Sequence, residues 1–139
     1  MIFLFFRWLW SKFSDGRREL NARIRGTVKA WVTQKGYERP MARVAEIADD
    51  IGLPPDQLSG YVRTKSRNTI LGWRKRLRIA EAKRLLVKLP DVPVAEIGRM
   101  VGINDKSNFR KQFTETCKMS PRAWREKHRK RTRWKFLTW

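Results

Sequence analysis

The chain carries one pattern twice. From Ala45 it reads A-E-I-A-D-D-I-G-L and from Ala95 it reads A-E-I-G-R-M-V-G-I, an offset of fifty residues. With one extra residue in the second copy, Leu58 and Val62 answer to Phe109 and Phe113, Thr69 to Ser120, and Trp73-Arg74 to Trp124-Arg125. Self-similarity at a fixed period marks a repeated supersecondary unit. Each copy has a short apolar run at helical spacing, a Gly suited to the left-handed position that ends a helix, and a second such run. That is a helix, a turn and a helix, used twice. No stretch alternates with the period of two that a strand requires, so the expected fold is all-α.

The flanking segments complete the layout. Residues 14–36 read as an N-terminal helix capped by Ser14 or Asp15, with Leu20, Ile24, Val28, Trp31 and Val32 as its apolar stripe. Gly26 weakens that helix by about 1 kcal/mol relative to Ala, which marks where it would break. Residues 37–68 hold the first helix-turn-helix: a connector kept extended by Pro40, a helix from Arg43 to Ile51, the turn at Gly52, and a second helix opened by Pro54-Pro55. Residues 69–89 read as a linker helix, capped by Thr69 and ended by Pro90 and Pro93. Residues 90–127 hold the second helix-turn-helix and a closing helix opened by Ser120-Pro121. Residues 128–139 are a basic, aromatic tail without periodicity. The expected architecture is two homeodomain-like helix-turn-helix subdomains joined by a long central helix.

Charge narrows the partner. With 33 Lys+Arg against 13 Asp+Glu, the net charge is +20, and so basic a protein expects a polyanion. DNA, RNA and an anionic membrane all qualify on charge alone. One Cys and one His exclude a disulfide framework and a His/Cys metal cluster. Cys117 aligns with Ser66, which points to a buried or half-buried small residue rather than a reactive thiol. No Gly-rich phosphate loop and no nucleophile–base set is present, so neither catalysis nor a cofactor is expected.

Residues 1–13 form a separate hydrophobic, aromatic segment. Met1 to Trp10 is apolar except for Arg7, and Lys12, Arg17, Arg18, Arg23 and Arg25 follow. It lacks the basic start and cleavage site of a signal peptide. Ten helical residues reach only about half of a ~30 Å hydrocarbon core. Two readings stay open: the end of a membrane helix, with a positive flank, or an apolar cap packed on the domain.

A helix-turn-helix sets its second helix in the major groove with the exposed residues of its first turns at base edges. In the second unit these are Lys106, Ser107, Asn108, Arg110 and Lys111, between the core residues Ile103, Phe109 and Phe113. Asn pairs with adenine, Lys or Arg with guanine, and Ser with either; Asp and Glu are absent from Lys106 to Thr114. In the first unit Gln57, Ser59 and Arg63 can read bases, Gly60 has no side chain to read with, and Asp56 either caps the helix or accepts from cytosine. Lys65 and Arg67 after the first reading helix, and Lys118, Arg122 and Arg125 after the second, are placed to hold phosphates, which sets register and affinity. Trp73 and Trp124 sit at equivalent positions on the apolar stripe and are expected in the core rather than stacked on bases.

The segments R-L-R-I-A-E-A-K-R-L-L (76–86), V-A-E-I-G-R-M-V-G-I (94–103), N-F-R-K-Q-F (108–113) and M-S-P-R-A-W-R (119–125) resemble the DNA-binding region of the AraC/XylS regulators. The resemblance covers about Val28 to Lys127. It implies two reading helices in successive major-groove segments of double-stranded promoter DNA, RNA polymerase as a further partner, and a cytoplasmic, nucleoid-associated location. It assigns structural positions to Ile97, Gly102, Phe109, Phe113 and Pro121. Ile103 stands where the family has an aromatic, and Lys118 where it has Gly, so Lys118 is expected in a left-handed conformation. Non-specific basic nucleic-acid binding, and a regulator fragment tethered to the membrane through residues 1–13, are the alternatives.

Overall fold

The computed structural model describes residues 1–136, with side chains through Arg129. The elements, in chain order, are α1 (Ile2–Thr33), a 3-10 turn (Gly36–Glu38), α2 (Val44–Ile51), α3 (Pro55–Ser66), α4 (Ile70–Lys88), α5 (Val94–Met100), α6 (Lys106–Cys117) and α7 (Pro121–Phe136). No strand occurs among the described residues, and the all-α expectation holds. Two compact units form: one from residues 1–36 and 41–70, the other from residues 37–40 and from Leu71 onward.

In the first unit α1, α2 and α3 pack together. Ile24, Val28 and Trp31 of α1, Ile47, Ala48 and Ile51 of α2, and Leu58 and Val62 of α3 are buried. Trp31 donates from Nε1 to Asp50 Oδ2 at 2.6 Å. The same indole explains Gly36, where a Cβ would lie 2.2 Å from Trp31 Nε1. Glu46 reaches back from the first turn of α2 and accepts from the Ala42 and Arg43 amides, both at 2.9 Å. These two bonds hold its carboxyl below the usual carboxylate range.

Three expectations for α1 are corrected. The helix does not start at Ser14 or Asp15; it runs unbroken from Ile2, through Gly26. Ser14 donates its hydroxyl to the Ser11 carbonyl and so caps nothing. Leu20 is 44% exposed and lies outside the core. The apolar cap reading also fails, because Phe3, Phe5, Phe6, Trp8, Trp10 and Phe13 are all exposed.

In the second unit the helix read as a linker is core. Ile79, Ala82, Leu85 and Leu86 of α4 cluster with Ile97 and Val101 of α5, Ile103, and Phe109 and Phe113 of α6. Trp124 packs against this cluster, edge-on to Phe113 at 6.3 Å. Half-buried Cys117 joins it, and burial pushes its thiol up. Residues 37–40 belong here because Arg78 of α4 donates to the Tyr37 carbonyl (2.6 Å) and the Arg39 carbonyl (2.9 Å). Burial, with the charge of Arg74, lowers Arg78 to about 10; it stays cationic at neutral pH. Gly102, at φ +87°, lies so close to this segment that a Cβ would meet the Glu38 carbonyl oxygen at 2.3 Å. The closing helix continues to Phe136 rather than ending near Lys127; residues 137–139 of the tail lie outside the described residues.

Candidate nucleic-acid interface

α6 begins at Lys106 because Asp105 accepts from the Asn108 amide at 2.6 Å, satisfying one free donor of the first turn. The sequence reading overlooked this cap, although an Asp directly before the helical run is its ordinary signal. Phe109 and Phe113 anchor the inner face. Lys106, Ser107, Arg110, Lys111, Thr114 and Glu115 line one open groove along the outer face. Four of the five base-reading candidates of this unit therefore share a strip, and Thr114 joins them.

Glu115 closes one end of the strip. Lys75 of α4 holds it at 3.1 Å, and this hydrogen bond keeps its carboxyl below the usual range. Asn108 is exposed but lies off the strip, and its Oδ1 accepts from Gln112 Nε2 at 3.0 Å. That bond uses one of the two lone pairs of Oδ1 and neither Nδ2 hydrogen, so an acceptor and a donor remain for bidentate pairing with adenine.

Behind the strip lies a second cleft, lined by Pro93, Val94 and Ala95, by Lys106 and Arg110, and by Ser120, Pro121 and Arg122. The Ser120 hydroxyl caps α7 by accepting from the Ala123 amide at 3.1 Å. The cleft thus gathers three cations, Lys106, Arg110 and Arg122, beside the first residues of α5, α6 and α7. Lys118 takes φ +58°, the left-handed conformation its replacement of a Gly demands. Arg67, its counterpart after α3, takes φ +53°. The second helix of each unit, α3 and α6, thus ends on a left-handed cation exposed to solvent.

Arg125 does not fit the phosphate role read from the sequence. It is half-buried and donates to the carbonyls of Leu86 (3.1 Å), Leu89 (3.4 Å) and Val92 (2.6 Å). The last carbonyls of a helix have no partner within it, and Arg125 supplies one for the end of α4. A cation held this way is a clamp.

In the first unit, α3 starts after Pro54 with no side-chain cap. Asp56 therefore is not the cap; it is an exposed first-turn acid, which the N-terminal end of the helix dipole favours. Asp56, Gln57, Gly60, Tyr61, Thr64 and Lys65 line a groove whose other wall is Asn21, Ile24 and Arg25 of α1. Asn21 and Arg25 escaped the sequence reading, since nothing in it says that α1 runs beside α3. Arg63 is exposed outside this groove. Ser59 is half-buried: it sits about 60° from buried Val62 around the helix, which puts it at the margin of the exposed face.

Known proteins share the sequence pattern and the fold. A family model described as a helix-turn-helix domain matches residues 47–127, more than half of the chain. The chain belongs to the AraC-type helix-turn-helix family. That family is one of DNA-binding transcription regulators. The arabinose operon regulatory proteins of Salmonella typhimurium and Escherichia coli are each 34% identical to this chain over 82 residues. Those residues are 59% of this chain but only 29% and 28% of the two relatives, so the likeness spans less than a third of their length. Two solved structures share the AraC-type fold: the C-terminal domain of AraT, a response regulator from Geobacillus stearothermophilus (TM-score 0.64, 20% identity, 75% of this chain and 84% of that one), and the DNA-binding domain of the global transcriptional factor AdpA, solved with a target DNA (TM-score 0.64, 22% identity, 78% and 94%).

Proposed function

We propose that this chain is a sequence-specific, double-stranded DNA-binding transcription regulator whose reading helices α3 and α6 enter successive major-groove segments. The observation that carries this is the outer strip of α6, where Lys106, Ser107, Arg110, Lys111 and Thr114 line one open groove on the second helix of a helix-turn-helix. Lys or Arg at a base edge selects guanine, and Ser and Thr accept either partner. Around the strip, Lys118 and Arg122 hold phosphates on the second head, and Lys65 and Arg67 hold them on the first. Gln57 and Arg63 are the side chains through which α3 reads bases, with half-buried Ser59 at the margin. RNA polymerase is the partner through which an occupied promoter changes transcription.

The experiment is a competition on fluorescence anisotropy with the full chain. A duplex selected from a random pool should win over random duplex and structured RNA by at least about 10³. If about six to ten phosphates are neutralised, affinity falls by about 10³ to 10⁵ between 50 and 200 mM salt. Lys111→Ala should cost about 1–3 kcal/mol on the selected duplex and leave random duplex nearly unchanged. Equal affinity for all three nucleic acids overturns the proposal in favour of non-specific coating.

A further inference from the structure

The first half of α1 is an unburied, largely apolar surface. Between Ile2 and Leu20 no residue is buried, and Phe3 and Trp10 are 91% and 78% exposed. Ile2, Phe6, Leu9 and Phe13 recur at spacings of four, three and four and share one face. Arg7, Ser11, Ser14 and Arg18 repeat that spacing about 140° around the helix. The two serines satisfy their hydroxyls on their own backbone, at the Trp8 and Ser11 carbonyls, both 2.8 Å. From Ile2 to Arg25 there are six basic residues against two acidic ones.

Each possible occupant must cover the aromatic face and tolerate the cations beside it. Duplex DNA answers the cations and offers nothing to the apolar face. A second copy of the helix covers the face but brings Arg7, Lys12, Arg17 and Arg18 toward their own kind. An anionic bilayer satisfies both, since Phe, Leu and Trp seat at the acyl boundary while Arg and Lys meet lipid phosphates. No helix among the described residues is long and apolar enough to cross a membrane. A face of Ile2, Phe6, Leu9 and Phe13 with cations at its side suits a helix lying along the interface.

We propose that the N-terminal half of α1 binds the surface of bilayers rich in anionic lipid, with Ile2, Phe6, Leu9 and Phe13 in the acyl boundary and Trp8 and Trp10 at headgroup level. The proposal is independent of the reading of DNA by α3 and α6.

The test uses the full chain with vesicles of phosphatidylcholine containing about one-third phosphatidylglycerol, brominated along the acyl chain, at about 0.15 M salt. The protein should sediment with these vesicles and not with pure phosphatidylcholine. Part of its tryptophan emission should be quenched, and Trp8→Phe with Trp10→Phe should remove that quenching. Phe6→Ser, Leu9→Ser and Phe13→Ser together should weaken partition by about ten-fold per side chain, with anisotropy on DNA unchanged. Undiminished vesicle binding by this triple variant would mean adsorption through bulk charge alone, and overturns the proposal. So does absence of quenching, or a dimer in sedimentation equilibrium that the triple variant abolishes without any vesicle binding.

Discussion

The two heads share a plan and differ in how tightly each is made. At the turn, Gly52 needs its glycine only for φ +83°, since a Cβ there would meet nothing within 4 Å. Gly102 needs it twice, for φ +87° and for the close approach of the Glu38 carbonyl. Within the first helix, the first head has Ala48 against a core that includes Leu58, and the second has Gly98 under Phe109. A Cβ on Gly98 would lie 2.8 Å from Phe109 Cγ. The larger aromatic is accommodated by the smaller neighbour. On the outer face the second head has an uninterrupted strip, whereas the first has Asp56, the bare backbone of Gly60 and a wall built from α1. A duplicated scaffold can thus keep its turn and core positions while its two faces are used unequally.

The largest effect expected of a single change is at the clamp. Arg125→Ala should lower the stability of the second unit by about 2–4 kcal/mol, because hydrogen bonds from a charged donor are among the strong ones and carbonyls at the end of α4 lose their partner. Thermal unfolding checks this. An unchanged melting temperature with uniformly weaker DNA binding would return Arg125 to the phosphate set and make the second head looser than described.

Next is the exchange between glycine and aromatic. Gly98→Ala should cost about 1–3 kcal/mol by overpacking against Phe109. Adding Phe109→Leu should recover part of the loss, since the pair then matches Ala48 and Leu58. A double-mutant cycle by denaturant unfolding measures that coupling. Strict additivity would break the comparison, because the two positions would then be independent.

The smallest differences, base pair by base pair, concern reading. With every base pair of a bound duplex substituted in turn, changes under α6 should cost about 1–3 kcal/mol each and those under α3 distinctly less. Equal penalties in both half-sites would mean that Arg63, and Gln57 with Asn21 and Arg25 beside it, read as much as the strip on α6 does.

The helices, their order and most of their inner faces were legible in the sequence because the 3.6-residue period is local. The repeat exposed Phe109, Phe113, Leu58 and Val62 as core, and the replacement of Gly by Lys118 announced a left-handed residue. The start of α1 was not legible: Ser14 and Asp15 imitate a cap, and a helix continuing through them leaves no local mark. Nor was the fate of the basic residues. Arg78, Lys75 and Arg84 are engaged by the Tyr37 and Arg39 carbonyls, by Glu115 and by Glu81, and Lys83 lies 4.4 Å from the centre of the Trp124 ring.

The sequence by itself determined an all-helical chain with two helix-turn-helix units and a net charge of +20, and it singled out the acid-free run from Lys106 to Thr114. Only the tertiary structure decided which cations are free to meet DNA, that α4 is core to the second unit, and that Asn21 and Arg25 stand beside α3. The reason is physical. Charge belongs to a residue, but availability belongs to its neighbours, and the neighbours that engage Arg78, Arg125 and Lys75 lie between 33 and 41 residues away along the chain.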